Sequence, residues 1–238
     1  MFKLYVMLIA LWMPAAKRDL PDSKLASDVR ENVWPRMQKE LTGRHFVLAS
    51  PMYIRIIKDE GLLEVWLKHG SRYHLYKSYE ICFFSGGLGT KTRSGDGKSP
   101  EGFYTITPAQ LNPASNYYLA VNIGYPNKLE IIKGYTGDAI MIHGHCASIG
   151  CYAMTNPRIE EIYTLMYKAF EAGQEKIDVD IFPFRMTAKK FAAYARLPYQ
   201  KFWRTLKPGY DLFEKYHVPP VAGIKNKEYW FSGVQHVN

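Results

Sequence analysis

The chain has 238 residues, 47% hydrophobic and 15% aromatic, with 31 Lys and Arg against 22 Asp and Glu for a formal charge of +9. That size and apolar content suit one well-cored domain, with room for an appended subdomain at most. The basic residues are scattered in short pairs such as Lys17-Arg18 and Lys189-Lys190. The charge therefore fits a basic soluble surface or attraction to an anionic envelope polymer or membrane, and carries no nucleic-acid-binding signature.

Residues 1–16, MFKLYVMLIALWMPAA, place one lysine before an apolar run from Leu4 to Met13 and end in Pro14-Ala15-Ala16. This is the layout of a secretory signal peptide, and the run is too short to span a membrane as a helix. Residues 17–45 form an N-terminal helical segment. Leu25, Val29, Val33, Met37 and Leu41 recur every fourth residue over 23–43, Gly43 ends the run, and Pro35 is a point of kinking. From 46 to 186 the pattern turns to strands. Residues 53–58 and 62–68 flank a DEG turn and predict a hairpin. Residues 72–85 read as one long aromatic strand, and 86–102, rich in Gly, Ser and charge, as a functional loop. Strands resume at 103–107, 117–123 and 138–144. Asn156-Pro157 opens a helix favoured by Glu160 and Glu161 and ended by Gly173, and 177–186 is a further strand. Residues 187–238 predict a helical extension interrupted near Pro198 and Pro208. There is no internal repeat.

The chemistry concentrates in residues 140–154, IMIHGHCASIGCYAM. A Cys–His pair makes a thiol nucleophilic near neutral pH, and small glycines let a substrate carbonyl approach backbone N–H groups beside the sulfur. One reading makes His143 the general base and Cys151 the nucleophile, with backbone N–H groups of Gly150, Cys151 and Tyr152 facing a developing oxyanion. A second takes His143, His145, Cys146 and Cys151 as zinc ligands, although this spacing fits no common structural zinc pattern. A third makes them ordinary buried residues. With three cysteines in an exported chain at least one thiol stays unpaired. A Cys82–Cys146 bridge would leave Cys151 free, and the sequence leaves that pairing open.

The His143-Gly144 and Ser148-x-Gly150-Cys151 elements together resemble the catalytic motif of the L,D-transpeptidase (YkuD-type) family. Residues 94–104, SGDGKSPEGFY, resemble the stretch that precedes that motif, and 112–127 and 148–163 are similar to the YafK-like branch. The resemblance covers about residues 50–185. Two features depart from many members: Ala153 stands where an arginine is common, and only three residues separate Gly144 from Ser148. The resemblance implies an α+β, mainly β catalytic domain, sandwich- or barrel-like, with helical additions at both ends. It implies a periplasmic enzyme, needing no cofactor or metal, whose partner is peptidoglycan. Cys151 would attack the diaminopimelate carbonyl of a stem peptide, with an amine or water as acceptor, and a murein-linked lipoprotein is one possible leaving group. It implies that Gly144 orients His143 through its carbonyl. For substrate contact the expected residues are Ser148, Tyr152, Tyr118, Asn122 and Tyr125, with packing as the alternative for the tyrosines and loop support for Ser148. A non-catalytic peptidoglycan-binding protein is the alternative from another class.

Overall fold

A computed structural model describes residues 19–235. The expected signal segment, residues 1–16, lies outside them. Ser23 caps α1 (Lys24–Gly43), its Oγ accepting the Ala26 N–H. Val29, Val33, Met37 and Leu41 are buried along one face, as their four-residue spacing requires. Pro35 lies inside α1 without ending it. It sits on the exposed side, where water can serve the carbonyl its missing N–H leaves free.

The predicted hairpin forms: β1 (Met52–Ile57) and β2 (Leu62–His69) pair antiparallel across a 3-10 turn ended by Gly61 in the left-handed region. β3 (Arg72–Glu80) pairs with β2. The long strand expected over 72–85 stops at Glu80, because Cys82 is bonded to Cys146, and Phe83 instead bridges Ala153. Next come β4 (Gly102–Ile106), β5 (Leu111–Ser115), β6 (Tyr118–Asn122), α2 (Lys128–Ile132), β7 (Met141–His143), β8 (Tyr152–Ala153), α3 (Asn156–Glu171) and β9 (Ile177–Phe182). The N-cap position of the helix at 156–171 is Thr155, without a side-chain capping bond, rather than Asn156, whose side chain accepts the His145 N–H.

Two sheets share one core. The first has order β3-β2-β1-β9-β4 and the second β5-β6-β7-β8, with β1–β9 and β7–β8 the parallel pairs. All six residues of β1 are buried, and the strand's two-residue period explains how. Met52, Ile54 and Ile56 join the main cluster with α1, α3 and the second sheet, while Tyr53 and Ile57 face clusters built with the C-terminal segment.

That C-terminal segment corrects the expectation of a purely helical extension. α4 (Ala188–Ala193) and α5 (Gln200–Tyr216) are followed by a hairpin of β10 (Pro220–Lys225) and β11 (Glu228–Val234). Pro208 does not interrupt α5. Gly209 beside it has no Cβ, and a Cβ there would strike the rings of Phe231 and Phe103, so this turn of helix is where the hairpin and β4 close in. Trp203 of α5 is fully buried and donates its indole N–H to Glu101 at 2.8 Å. The extension is thus packed into the catalytic region rather than appended to it.

Candidate active site

β7 and β8 place the two key residues. They run parallel with Ile142 opposite Tyr152 and His143 opposite Ala153, so Cys151 falls one step further, level with Met141. Side chains alternate faces along a strand, which puts Met141, His143 and Cys151 on the same face, with His143 diagonal to the thiol. Asn122 and Ala120 of β6, opposite Met141 and His143, share that face. Cys151 is the free cysteine. Its Sγ accepts the Met141 N–H at 3.4 Å and lies 3.7 Å from the Ala139 carbonyl oxygen. The thiol proton is therefore directed to a carbonyl in this structure and not yet to the imidazole, as is common before substrate binds.

His143 is 2% exposed. Its Nδ1 bonds the Gly144 carbonyl oxygen, and since a carbonyl only accepts, Nδ1 carries the hydrogen. Nε2 is left as the basic nitrogen. Gly144 thus has the orienting contact the family resemblance implied. A side chain there would crowd Asn156 Oδ1, Tyr118 Cβ and Ile159 Cγ2, all within about 3.1 Å of a Cβ. Burial pushes the imidazole below the ordinary histidine range, opposed by the Gly144 carbonyl and reinforced by His145. Burial also raises the Cys151 thiol, while the Met141 N–H and the Lys91 ammonium favour the thiolate. Both shifts favour neutral thiol and neutral imidazole at rest, so the base works by removing the thiol proton during attack.

The loop between them is held from several sides. Cys146 is disulfide-bonded to Cys82 with Cα atoms 5.5 Å apart, which answers the open pairing and withdraws Cys146 from the four-ligand zinc reading. His145, at φ +57°, donates its N–H to Asn156 Oδ1 at 3.0 Å. Ser148 Oγ donates to the Cys151 carbonyl at 2.8 Å and accepts the Gly150 N–H at 3.0 Å. Ser148 therefore acts as loop support, and the Gly150 N–H, expected among the oxyanion donors, is already used. Gly150 itself sits at φ +145°, and a Cβ there would come within 3.2 Å of the Lys98 carbonyl oxygen and 3.4 Å of Ile140, so a larger residue would be strained.

The other expected contacts divide. Asn122 reaches the site face, but its Oδ1 accepts the Gly124 N–H at 2.8 Å and shapes the following turn. Tyr118 donates to Glu160 at 2.8 Å and lies over His145, behind the loop rather than in the cleft. Tyr125 is buried, with its hydroxyl on the Thr136 carbonyl and its ring 5.8 Å from Lys91 Nζ. Tyr152 is fully buried and donates to the Pro100 carbonyl at 2.6 Å, which rules out substrate contact by its side chain. Strand parity could have shown this, since Tyr152 alternates with Cys151 and Ala153.

Three residues escaped the sequence reading. Tyr117 is half exposed and its ring lies 4.8 Å from that of His143, forming an outer wall. Asn156 fastens the loop from the start of α3. Lys91 is buried in the 86–102 loop, bound to Asp96 and the Arg93 carbonyl at about 3 Å. Asp96 also accepts backbone N–H groups of Thr92, Arg93 and Lys98. Burial opposes its charge, but these donors hold its carboxyl at about 2. Behind them Lys58, buried, donates to Glu101 and to the Gly89 and Ser99 carbonyls, each at 3.0 Å. The Gly-rich segment is thus an ordered loop built around two ion pairs.

An α+β core that sets a free thiol beside a buried imidazole, under a glycine-rich loop, has the makings of an acyl-transfer cysteine site. Residues 51–181 match the family model YkuD, the L,D-transpeptidase catalytic domain. The chain belongs to this family of cysteine transpeptidases, which acts on peptidoglycan. It is 48% identical over 183 residues to YafK of Escherichia coli strain K12, a protein whose name assigns it provisionally to the same family; the match covers 77% of this chain and 74% of that one. YafK of Escherichia coli O157:H7 matches equally. Solved structures with partial likeness include the helical cell shape determining protein Pgp2 of Campylobacter jejuni, 19% identical over 74% of each chain with a TM-score of 0.45. Its K307A mutant is 26% identical over 56% of this chain and 47% of its own length, with a TM-score of 0.46. Bd1075 of Bdellovibrio bacteriovorus is 22% identical over 70% of this chain and 61% of its own, at 0.40. The family assignment rests on the sequence matches.

Proposed function

We propose that the chain is an exported cysteine acyl-transfer enzyme that cuts or remakes the amide at the diaminopimelate carbonyl of peptidoglycan stem peptides. The observation that carries this is the Nδ1 bond of buried His143 to Gly144, which leaves a basic Nε2 on the face that bears the free Cys151 thiol. In the first half-reaction Nε2 takes the thiol proton as sulfur attacks the carbonyl carbon. The tetrahedral oxyanion collapses, the C–N bond breaks, and the imidazolium gives its proton to the departing amine. A thioester remains on Cys151. In the second half-reaction Nε2 deprotonates an incoming amine or water as it attacks the thioester carbonyl, the C–S bond breaks, and the imidazolium returns its proton to the departing Cys151 sulfur, restoring the neutral resting pair. With the Gly150 N–H taken by Ser148, the Cys151 N–H is a backbone donor assigned to the oxyanion.

Export is supported by the signal-like residues 1–16 and by the Cys82–Cys146 disulfide, which belongs to an oxidising compartment. Defined muropeptides and lipoprotein-linked sacculi, incubated with the protein and resolved by mass, test the reading. Release or exchange of the group after diaminopimelate by wild type, absent in Cys151→Ala, is expected. Unchanged muropeptides and sacculi would reject it.

A further inference from the structure

A second concave site lies where the C-terminal segment meets the catalytic loop. It encloses about 420 Å³ and is bounded by the start of α5, the β10–β11 turn, residues 90–92 and residues 133–135. Its walls combine three aromatic rings, Tyr135, Tyr199 and Phe202, with three ammonium groups, Lys133, Lys201 and Lys227, and a single carboxylate, Glu228. Glu228 lies 3.7 Å from Lys201. Among the described residues no carboxylate comes within 4 Å of Lys133 or Lys227. The Lys133 ammonium stands 5.2 Å from the centre of the Phe202 ring, and burial lowers its proton affinity, opposed by Glu228 and Glu130. An ammonium held against a ring, partly stripped of water and without an ion-pair partner, is poised for an incoming anion.

The site is also wired to the nucleophile. Tyr199 accepts a hydrogen bond from Lys98 Nζ at 3.0 Å, and the Lys98 carbonyl oxygen occupies the space beside Gly150 where a Cβ would come within 3.2 Å of it. Thr92, on another wall, follows Lys91, whose charge acts on the Cys151 sulfur. A ligand in the groove would touch both segments that support the Cys151 loop.

We propose that this groove binds an acidic peptide, its carboxylate on Lys133 and Lys227 and its aliphatic stem against Phe202, Tyr199 and Tyr135. The proposal rests on the peptidoglycan reading only for which acidic peptide this is: the stem peptide, whose glutamyl and diaminopimelyl residues supply such carboxylates. The probe is the tripeptide L-Ala-γ-D-Glu-meso-diaminopimelate, titrated calorimetrically into the full chain. Lys133→Ala and Lys227→Ala, both solvent-accessible changes, should each weaken binding by about tenfold, and amidating the peptide carboxylates should do the same. Inorganic phosphate at equal concentration should not displace the peptide. Unchanged affinity in the lysine variants, equal binding of the amidated peptide, displacement by phosphate, or no binding to wild type would each overturn the proposal. Acylation of Cys151 by a carbapenem, read by intact mass on the same samples, separates the two claims. Normal acylation with lysine-independent peptide binding removes the groove alone, and absent acylation in wild type counts against the cysteine mechanism itself.

Discussion

The backbone N–H of Met141 donates to Cys151 Sγ at 3.4 Å, so the strand that ends in His143 also holds the sulfur. One short strand therefore positions both partners of the reaction. That bond favours the thiolate, yet burial outweighs it and the thiol stays protonated at rest.

The pH dependence follows with a definite sign. His143 must be neutral to act as base, and its proton affinity is depressed by burial. The acidic limb of kcat/KM should therefore fall below pH 6.5, the ordinary value for histidine. Cys151 ionises above an ordinary thiol, so its alkylation by iodoacetamide should keep rising beyond pH 9.0. An alkylation rate that is already flat below pH 7 would show a preformed thiolate–imidazolium pair and contradict this (such pairs titrate roughly two or more units below a free thiol).

Asn156 should act as a positioning residue. Asn156→Ala removes the acceptor that His145 uses, and the loop next to His143 loses its anchor on α3. Carbapenem acylation of Cys151 should slow by roughly 10–100-fold. Asn156→Asp, which keeps the acceptor, should recover most of the rate. Equal rates in wild type and Asn156→Ala would remove the residue from the account.

The disulfide should carry stability as well as loop position. Replacing Cys82 and Cys146 together by serine frees a crosslink between positions 64 residues apart. The expected loss is about 2–5 kcal/mol, seen as a lower urea midpoint. A midpoint unchanged from wild type would show that the backbone bridge between Phe83 and Ala153 suffices.

Much of this site is readable from residue order, and the limits are physical. The spacing of His143-Gly144 and Ser148-x-Gly150-Cys151 exposes the nucleophile and its base because both lie in one short segment. The hairpin at 52–69 and the helix at 24–43 follow from local periodicity. Tyr117 and Asn156 were hidden because their contacts with His143 and His145 come through tertiary packing, and Lys91 because its effect on Cys151 joins segments 60 residues apart. The terminal hairpin at 220–234 was missed because its turn, Asn226-Lys227, uses two non-glycine residues at positive φ, near +53° and +59°. The usual glycine signal for such a turn is absent. Tyr152 was misassigned by proximity in sequence to Cys151, where the strand period turns it into the core.

The fused C-terminal segment gives a stability prediction. Trp203→Ala empties a fully buried site in the cluster that α5 builds with Ile57 and Phe182, and removes the donor to Glu101 Oε2, leaving Lys58 and the Gly89 N–H on Oε1. The cost should reach about 3–5 kcal/mol in denaturant unfolding. A loss under about 1 kcal/mol would mean that α5 is dispensable to the catalytic core.

The most direct test of the acyl-enzyme is to trap it. Wild-type protein mixed rapidly with a diaminopimelate-containing muropeptide and quenched in acid should carry the acyl group on the peptide that contains Cys151, and Cys151→Ala should show neither adduct nor turnover while unfolding at the wild-type denaturant midpoint. Full turnover by purified Cys151→Ala, or an adduct located on another residue, would contradict the account.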